Sequence, residues 1–149
     1  MTKDGYPTKA ELKKIENWDY NEPFALIDYI SERTWMPDFC IELEWAKDKP
    51  TKKNILLFEF NTAGWSGNED IIDALLKNKM FNALWYSKWT RGGHYWFEVN
   101  PYNIGYMKVS DLCIQLNVSK QYIHGNGKNK FDWLLVGGIY LVRKKILKK

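Results

Sequence analysis

Two pairs of adjacent glycines, Gly92-Gly93 and Gly137-Gly138, constrain this chain more than any other feature. Each pair interrupts short runs of aromatic and apolar residues. Ala83–Trp89 and His94–Val99 flank the first pair; Trp133–Val136 and Ile139–Val142 flank the second. The tight turn that best joins two right-twisted strands needs positive φ at its central residues, which glycine adopts without steric cost. Thr90-Arg91-Gly92-Gly93 and Gly137-Gly138 therefore each predict a β-hairpin, one in each part of the chain.

The remaining periodicity supplies helices and two further strands. Thr8–Asn17 reads as a short helix with Thr8 and Glu11 as a capping box and Leu12 and Ile15 facing inward. Glu22–Thr34 reads as a second, with Pro23 in its first turn and Phe24, Ile27 and Ile30 on one face. Phe39–Trp45 alternates strictly, so Phe39, Ile41, Leu43 and Trp45 are expected on the buried side of a strand. Asn54–Asn61 is a second strand, paired with it as an antiparallel hairpin across the charged loop Ala46–Lys53. Ser66 and Glu69 suggest a capping box opening a helix that runs to about Met80, with Ile71, Ile72, Leu75 and Leu76 as its apolar face. The order α-α-β-β-α-β-β predicts an α+β N-terminal domain, residues 1–103, built on a mainly antiparallel sheet with helices.

Composition brackets this reading. The 149 residues are 45% hydrophobic and 27% charged, close to the average of soluble globular chains. No apolar run approaches the length of a membrane span, and Met1-Thr2-Lys3-Asp4-Gly5 has none of the apolar core of a secretory signal. A cytoplasmic protein with no membrane partner is expected. Cys40 and Cys113 then read as reduced, mostly buried thiols, not as a disulfide or a metal site.

The charge is unevenly spread. Residues 1–103 hold 13 Lys and Arg against 16 acids, a net −3; residues 104–149 hold 9 against two, a net +7, and no Glu at all. Seven of the eight Trp precede residue 104. A basic segment set against an acidic one points to nucleic-acid contact by the basic one.

Within that segment, Leu112 and Leu116 suit the inner face of a helix that Ser110 would cap. Cys113 is small where a second helix must pass closely. Asn117 tolerates the positive φ of a turn, Val118 plugs the core, Ser119 caps the next helix and Ile123 anchors it. The hairpin around Gly137-Gly138 follows, then Arg143-Lys144-Lys145. The segment VSDLCIQLNVSKQYI followed by VGGIYLVRK resembles the winged helix-turn-helix domains of the MerR/excisionase class over residues 107–146. The resemblance implies a small winged helix-turn-helix, residues 104–149, with its second helix in the major groove of double-stranded DNA and its wing on the backbone or minor groove.

By position, the resemblance puts Ser119, Lys120 and Gln121 at the start of the recognition helix, with Gln121 reading adenine and Lys120 reaching phosphate or guanine. Tyr122 and His124 would contact phosphate or sugar. Lys128, Lys130, Arg143 and Lys144 would supply the backbone attraction. Leu134, Leu135, Ile139 and Leu141 make this wing unusually apolar, which also suits packing on the N-terminal domain or on a partner chain.

The N-terminal part offers no catalytic constellation. The two His, His94 and His124, stand apart from any nucleophile motif. The loop Gly64-Trp65-Ser66-Gly67-Asn68 lacks the lysine of a phosphate loop. No cofactor is expected, and a non-enzymatic role is. The aromatic residues are the distinctive feature: Trp65, Trp85, Trp89 and Trp96, with Tyr86 and Tyr95, suggest a surface for a protein partner, with Trp85 and Trp89 on one face and Trp96 beside His94. The stretch FNTAGWSGNEDIIDALLKNKMF followed by LWYSKWTRGGHYWFEV, within residues 55–99, resembles small uncharacterised proteins of phages and prophages of low-GC Gram-positive bacteria. Together these features predict a phage-type DNA-binding regulatory protein, a repressor or excisionase-like factor. The alternative is an inhibitor of a host defence nuclease, anti-CRISPR-like, that binds a host protein through its aromatic surface. Either role accommodates a homodimer.

Overall fold

A computed structural model describes residues 2, 4–136 and 138–145, the side chain of Lys128 excepted. Gly137, Lys148 and Lys149 lie outside the described residues. The chain forms two compact units, Met1–Ala46 with Leu56–Val99 and Lys47–Ile55 with Asn100–Lys149. The lysine-rich segment Lys47–Ile55 thus groups with the basic end of the chain. The second unit carries 13 Lys and Arg against three Asp, a net +10, and the first carries 9 against 15 acids, a net −6.

In the first unit, helix α1 spans Lys9–Glu16 and has the expected capping box: the Glu11 N–H donates to Thr8 Oγ1 at 3.3 Å, and the Thr8 N–H donates to Glu11 Oε2 at 2.8 Å. Helix α2, Pro23–Ser31, opens on Pro23 and buries Leu26, Ile27 and Ile30. Strand β1 is Ile41–Lys47, β2 Asn54–Asn61, β3 Tyr86–Thr90 and β4 His94–Val99, in the order β1-β2-β4-β3. β2 and β4 pair antiparallel, with Phe58 opposite Phe97 and Phe60 opposite Tyr95 on the buried face, and Glu59 opposite Trp96 and Asn61 opposite His94 on the other. The Phe58 and Phe97 rings stack at 5.5 Å, and Phe81 meets Phe97 at 5.6 Å. The first glycine pair makes its hairpin between β3 and β4, with φ of 96° at Gly92 and 78° at Gly93.

Three local expectations are corrected. Phe39 is not on a strand: Met36 takes a left-handed conformation and Pro37 starts a one-turn helix α3, Pro37–Cys40, which buries Cys40 and leaves Phe39 66% exposed. Ser66 is not a cap. Trp65 holds the N-cap position of α4, Ser66–Lys77, and Ser66 Oγ lies instead 3.2 Å from the Tyr6 hydroxyl. Nor does that helix reach Met80. Asn78 ends it and caps a further helix α5, Lys79–Trp85, accepting from the Phe81 N–H at 3.1 Å. Asparagine does both tasks because its side chain supplies the acceptor that an interrupted helix needs. The strand expected from Ala83 therefore begins only at Tyr86.

In the second unit a 3-10 turn, Pro101–Ile104, leads to a two-residue strand β5, Met107–Lys108. Helices α6, Val109–Leu116, α7, Lys120–Gly125, and α8, Gly127–Lys130, precede a hairpin of β6, Phe131–Val136, and β7, Ile139–Lys144. The sheet order is β5-β7-β6, antiparallel throughout. The architecture is thus mixed α+β with antiparallel sheets. Among the described residues no helix is long and apolar enough to cross a membrane.

Candidate nucleic-acid interface

The basic unit is organised around a small apolar core of Leu112, Ile123, Phe131 and Val142. Met107, Val109, Cys113, Leu116, Val118 and Trp133 pack against it. Leu112 comes from α6, Ile123 from α7 and the last two from the hairpin, so four apolar side chains tie two helices to one sheet. Between the helices Asn117 takes φ 52° and ψ 51°, the left-handed turn expected of it. The Val118 N–H returns to the Cys113 carbonyl at 3.0 Å. Ser119 caps α7 by accepting from the Tyr122 N–H at 3.1 Å. Ser110 does not cap α6; Lys108 holds that position, and Ser110 Oγ instead donates to Asp111 at 3.3 Å.

Ile123 is fully buried, the helical period turns Gln121 to the opposite side, and Ser119, Lys120 and Gln121 at the start of α7 are all exposed. Tyr122 is 40% exposed, and its hydroxyl accepts from Lys130 Nζ at 3.2 Å. His124 is exposed and stacks on Trp133 at 5.2 Å, closing the C-terminal end of α7 against the hairpin. α7 is short because Gly125 and Gly127 flank Asn126, where α8 starts afresh. Lys144 is exposed on the hairpin, and the side chain of Lys128 lies outside the described residues. Lys53, from the segment that joins this unit, sits 4.9 Å over the Tyr102 ring. Burial, helped by Asp111, raises the Tyr102 hydroxyl above its ordinary pKa.

Arg143 is not a surface cation. It is 3% exposed, donates from Nε to Asp132 Oδ2 at 3.1 Å and from Nη1 to the Ile104 carbonyl at 3.4 Å, and lies 4.6 Å over the Tyr106 ring. Its position directly opposite Asp132 in the hairpin register turned a cation expected on phosphate into a structural one.

The aromatic residues of the first unit divide. Trp89 is 54% exposed. Trp96 is half-buried, stacked on His94 at 5.7 Å with Lys88 4.4 Å over its ring, and His94 Nδ1 lies 2.7 Å from Glu59 Oε1. Trp65 is half-buried between Tyr6 at 4.8 Å and Trp35 at 5.7 Å. Trp85 belongs to the core: it ends α5, not a strand, and is 1% exposed, so it shares no surface with Trp89. Sequence reasoning missed the exposed group Trp35, Met36, Phe39 and Leu43, because alternation counted two of them as buried. The Met36-Pro37 pair was the available signal, since proline at a first helical position starts a turn.

Cys40 and Cys113 are free, and Asn68 Nδ2 donates to Cys40 Sγ at 3.4 Å. Among the described residues no group of three His, Cys, Asp or Glu is placed to hold a metal ion. No protein-family model matches the chain, and neither a curated protein nor a solved structure matches it.

Proposed function

We propose that the basic unit is a winged helix-turn-helix and that the protein is a phage-type, non-enzymatic regulator that binds double-stranded DNA through α7. The observation that carries this reading is the pairing of a capped α7, exposing Lys120 and Gln121, with a hairpin whose β7 also pairs with the short strand before α6. That order, strand, helix, turn, helix, hairpin, supports the winged reading that the resemblance of residues 107–146 implies. The net +10 of the unit supplies the attraction to phosphate. Lys120, Tyr122, Lys130 and Lys144 would position the duplex, Gln121 would read a base edge, and Arg143 would hold the hairpin without touching DNA.

Fluorescence anisotropy of the full chain on mixed-sequence and own-upstream duplexes tests the reading across a salt series. Binding that weakens steeply with salt, and that Lys120→Ala with Gln121→Ala reduces without unfolding, is expected. Absence of binding at low salt would refute it.

The first unit supports a second binding activity, toward a protein. Its net −6 disfavours nucleic acid, while Trp35, Trp65 and Trp89 leave aromatic surface in solvent. A host defence nuclease is the partner this alternative names. Its test is co-purification from host lysate that Trp89→Ala abolishes and nuclease treatment does not.

A further inference from the structure

β1 and β3 stand at the two ends of the four-stranded sheet. β3 shifts register between Tyr86 and Lys88, and an irregular edge resists pairing with a further strand. On β1, among the described residues, no backbone hydrogen bond outside the sheet falls on residues 42–46. Glu42, Leu43 and Glu44 are all exposed, Leu43 at 48%, so solvent reaches both faces of the strand at its middle. Trp45 meets Phe24 of α2 at 6.1 Å. Alternation then puts Leu43 on the helix-bearing face and Glu42 and Glu44 on the other. Just ahead of the strand, Trp35, Met36 and Phe39 are exposed as well. Residues 35–45 contain three acids, Asp38, Glu42 and Glu44, and no Lys or Arg.

We propose that the outer edge of β1 is a docking site for an extended segment of a partner protein in which cationic and apolar residues alternate. Such a segment adds as a further strand, its backbone taking up the edge N–H and C=O groups. Its alternate side chains then meet unlike surfaces. Those on one face lie beside Glu42 and Glu44 and are favoured as Lys or Arg; those on the other lie beside Leu43 and are favoured as apolar. Trp35, Met36 and Phe39 add exposed apolar surface at the start of the strand. The charge argues against a second copy of this edge, because pairing β1 with itself brings Glu42 and Glu44 against carboxylates on the same face. Lys47, at the end of the strand, likewise confines the favourable cations to the Glu42–Glu44 stretch. This surface is separate from Trp89, which lies on β3 at the opposite end of the sheet, and does not depend on it.

The test uses the full chain and short fluorescein-labelled peptides, read by anisotropy. One alternates Lys or Arg with Val; a second has the same composition with its cations in one block; a third alternates Glu with Val. The alternating cationic peptide should bind about tenfold or more tightly than either of the others. Two further versions carry N-methyl groups on one or the other set of alternate residues. One of these should lose binding and the other keep it, because only one set turns its N–H toward β1. Glu42→Lys with Glu44→Lys should reverse the preference in favour of the Glu peptide, a gain that also shows the variant is folded, and Trp89→Ala should change nothing. Equal binding of the alternating and block peptides overturns the proposal, as does binding of both N-methylated versions or no binding of the alternating cationic peptide. Loss of binding in Trp89→Ala overturns it by placing the site at the other end of the sheet. Light scattering that shows the free chain dimeric, and monomeric with the peptide bound, assigns the edge to a second copy and overturns it too.

Discussion

Arg143 and Asp132 face each other across the β6–β7 ladder, joined at 3.1 Å, with the guanidinium almost wholly buried. The pair clamps the base of a hairpin in a unit with few other carboxylates, the remaining two being Asp48 and Asp111. Removing one member of a buried pair costs about 3 kcal/mol, because the desolvated charge left behind loses its balance. Asp132→Ala should therefore lower the stability of this unit by roughly that amount, read from the Trp133 environment in a denaturant titration. Any Arg143 variant that remains folded should bind DNA with the salt slope of the wild type.

The two exposed residues at the start of α7 should behave differently. Lys120→Ala should weaken binding about equally on all duplexes and reduce the salt slope by about one. Gln121→Ala should instead relax base preference, by about 1–3 kcal/mol at one position. Anisotropy across a salt series and a set of single-base variants separates the two.

Gly93 adopts φ 78°, its carbonyl accepts from the Thr62 N–H at 3.0 Å, and a Cβ there would collide with Thr62 Oγ1. Gly105 has a similar φ, 86°, but open space around it. Gly105→Ala should therefore cost only backbone strain, about 1 kcal/mol, and Gly93→Ala that strain plus the collision, about 2–3 kcal/mol. The separation of their melting temperatures measures the steric part.

Trp85 and Trp89 lie four residues apart but occupy unlike sites, at 1% and 54% exposure. Trp85→Ala should cost about 3–5 kcal/mol, the loss for a large core side chain. Trp89→Ala should stay within about 0.5 kcal/mol of the wild type. Chemical denaturation distinguishes them, so only Trp89 is a usable probe of partner binding.

Glu11 sets an acid limit on α1. The Thr8 backbone N–H lowers its carboxyl pKa from 4.5 to about 2, against a smaller upward push from burial and with further lowering by the Thr8 hydroxyl. Because the folded pKa lies below the unfolded one, the contribution is complete above the unfolded value of 4.5 and disappears as pH falls toward about 2. Glu11→Gln should lower stability at neutral pH by about 1 kcal/mol. The gap between variant and wild type should then close in acid, as circular dichroism across that range would record.

Where a residue's conformation depends on near neighbours, the sequence was readable. Thr8 with Glu11, Asn117, Ser119, Ile123 and both hairpins lie where local chemistry places them. Errors arose where two local signals competed: Pro37 against the alternation at Phe39, and Asn78 against the helical run past Lys77. There the backbone followed the residue with the stronger steric or capping demand.

The sequence by itself thus determined the helices capped by Thr8 and Ser119, the hairpins and the presence of a basic and an acidic portion, because each follows from spacing or composition, whereas Ser66 and Ser110 do not cap as their spacing suggests. Only the tertiary structure decided which charges and rings face solvent. It placed Lys47–Ile55 with the basic unit, buried Arg143 opposite Asp132, sent Trp85 into the core and left Leu135 and Tyr140 exposed beyond Trp133. The reason is physical: exposure is set by what packs across a sheet or from a distant segment, and one-dimensional spacing carries no record of that partner.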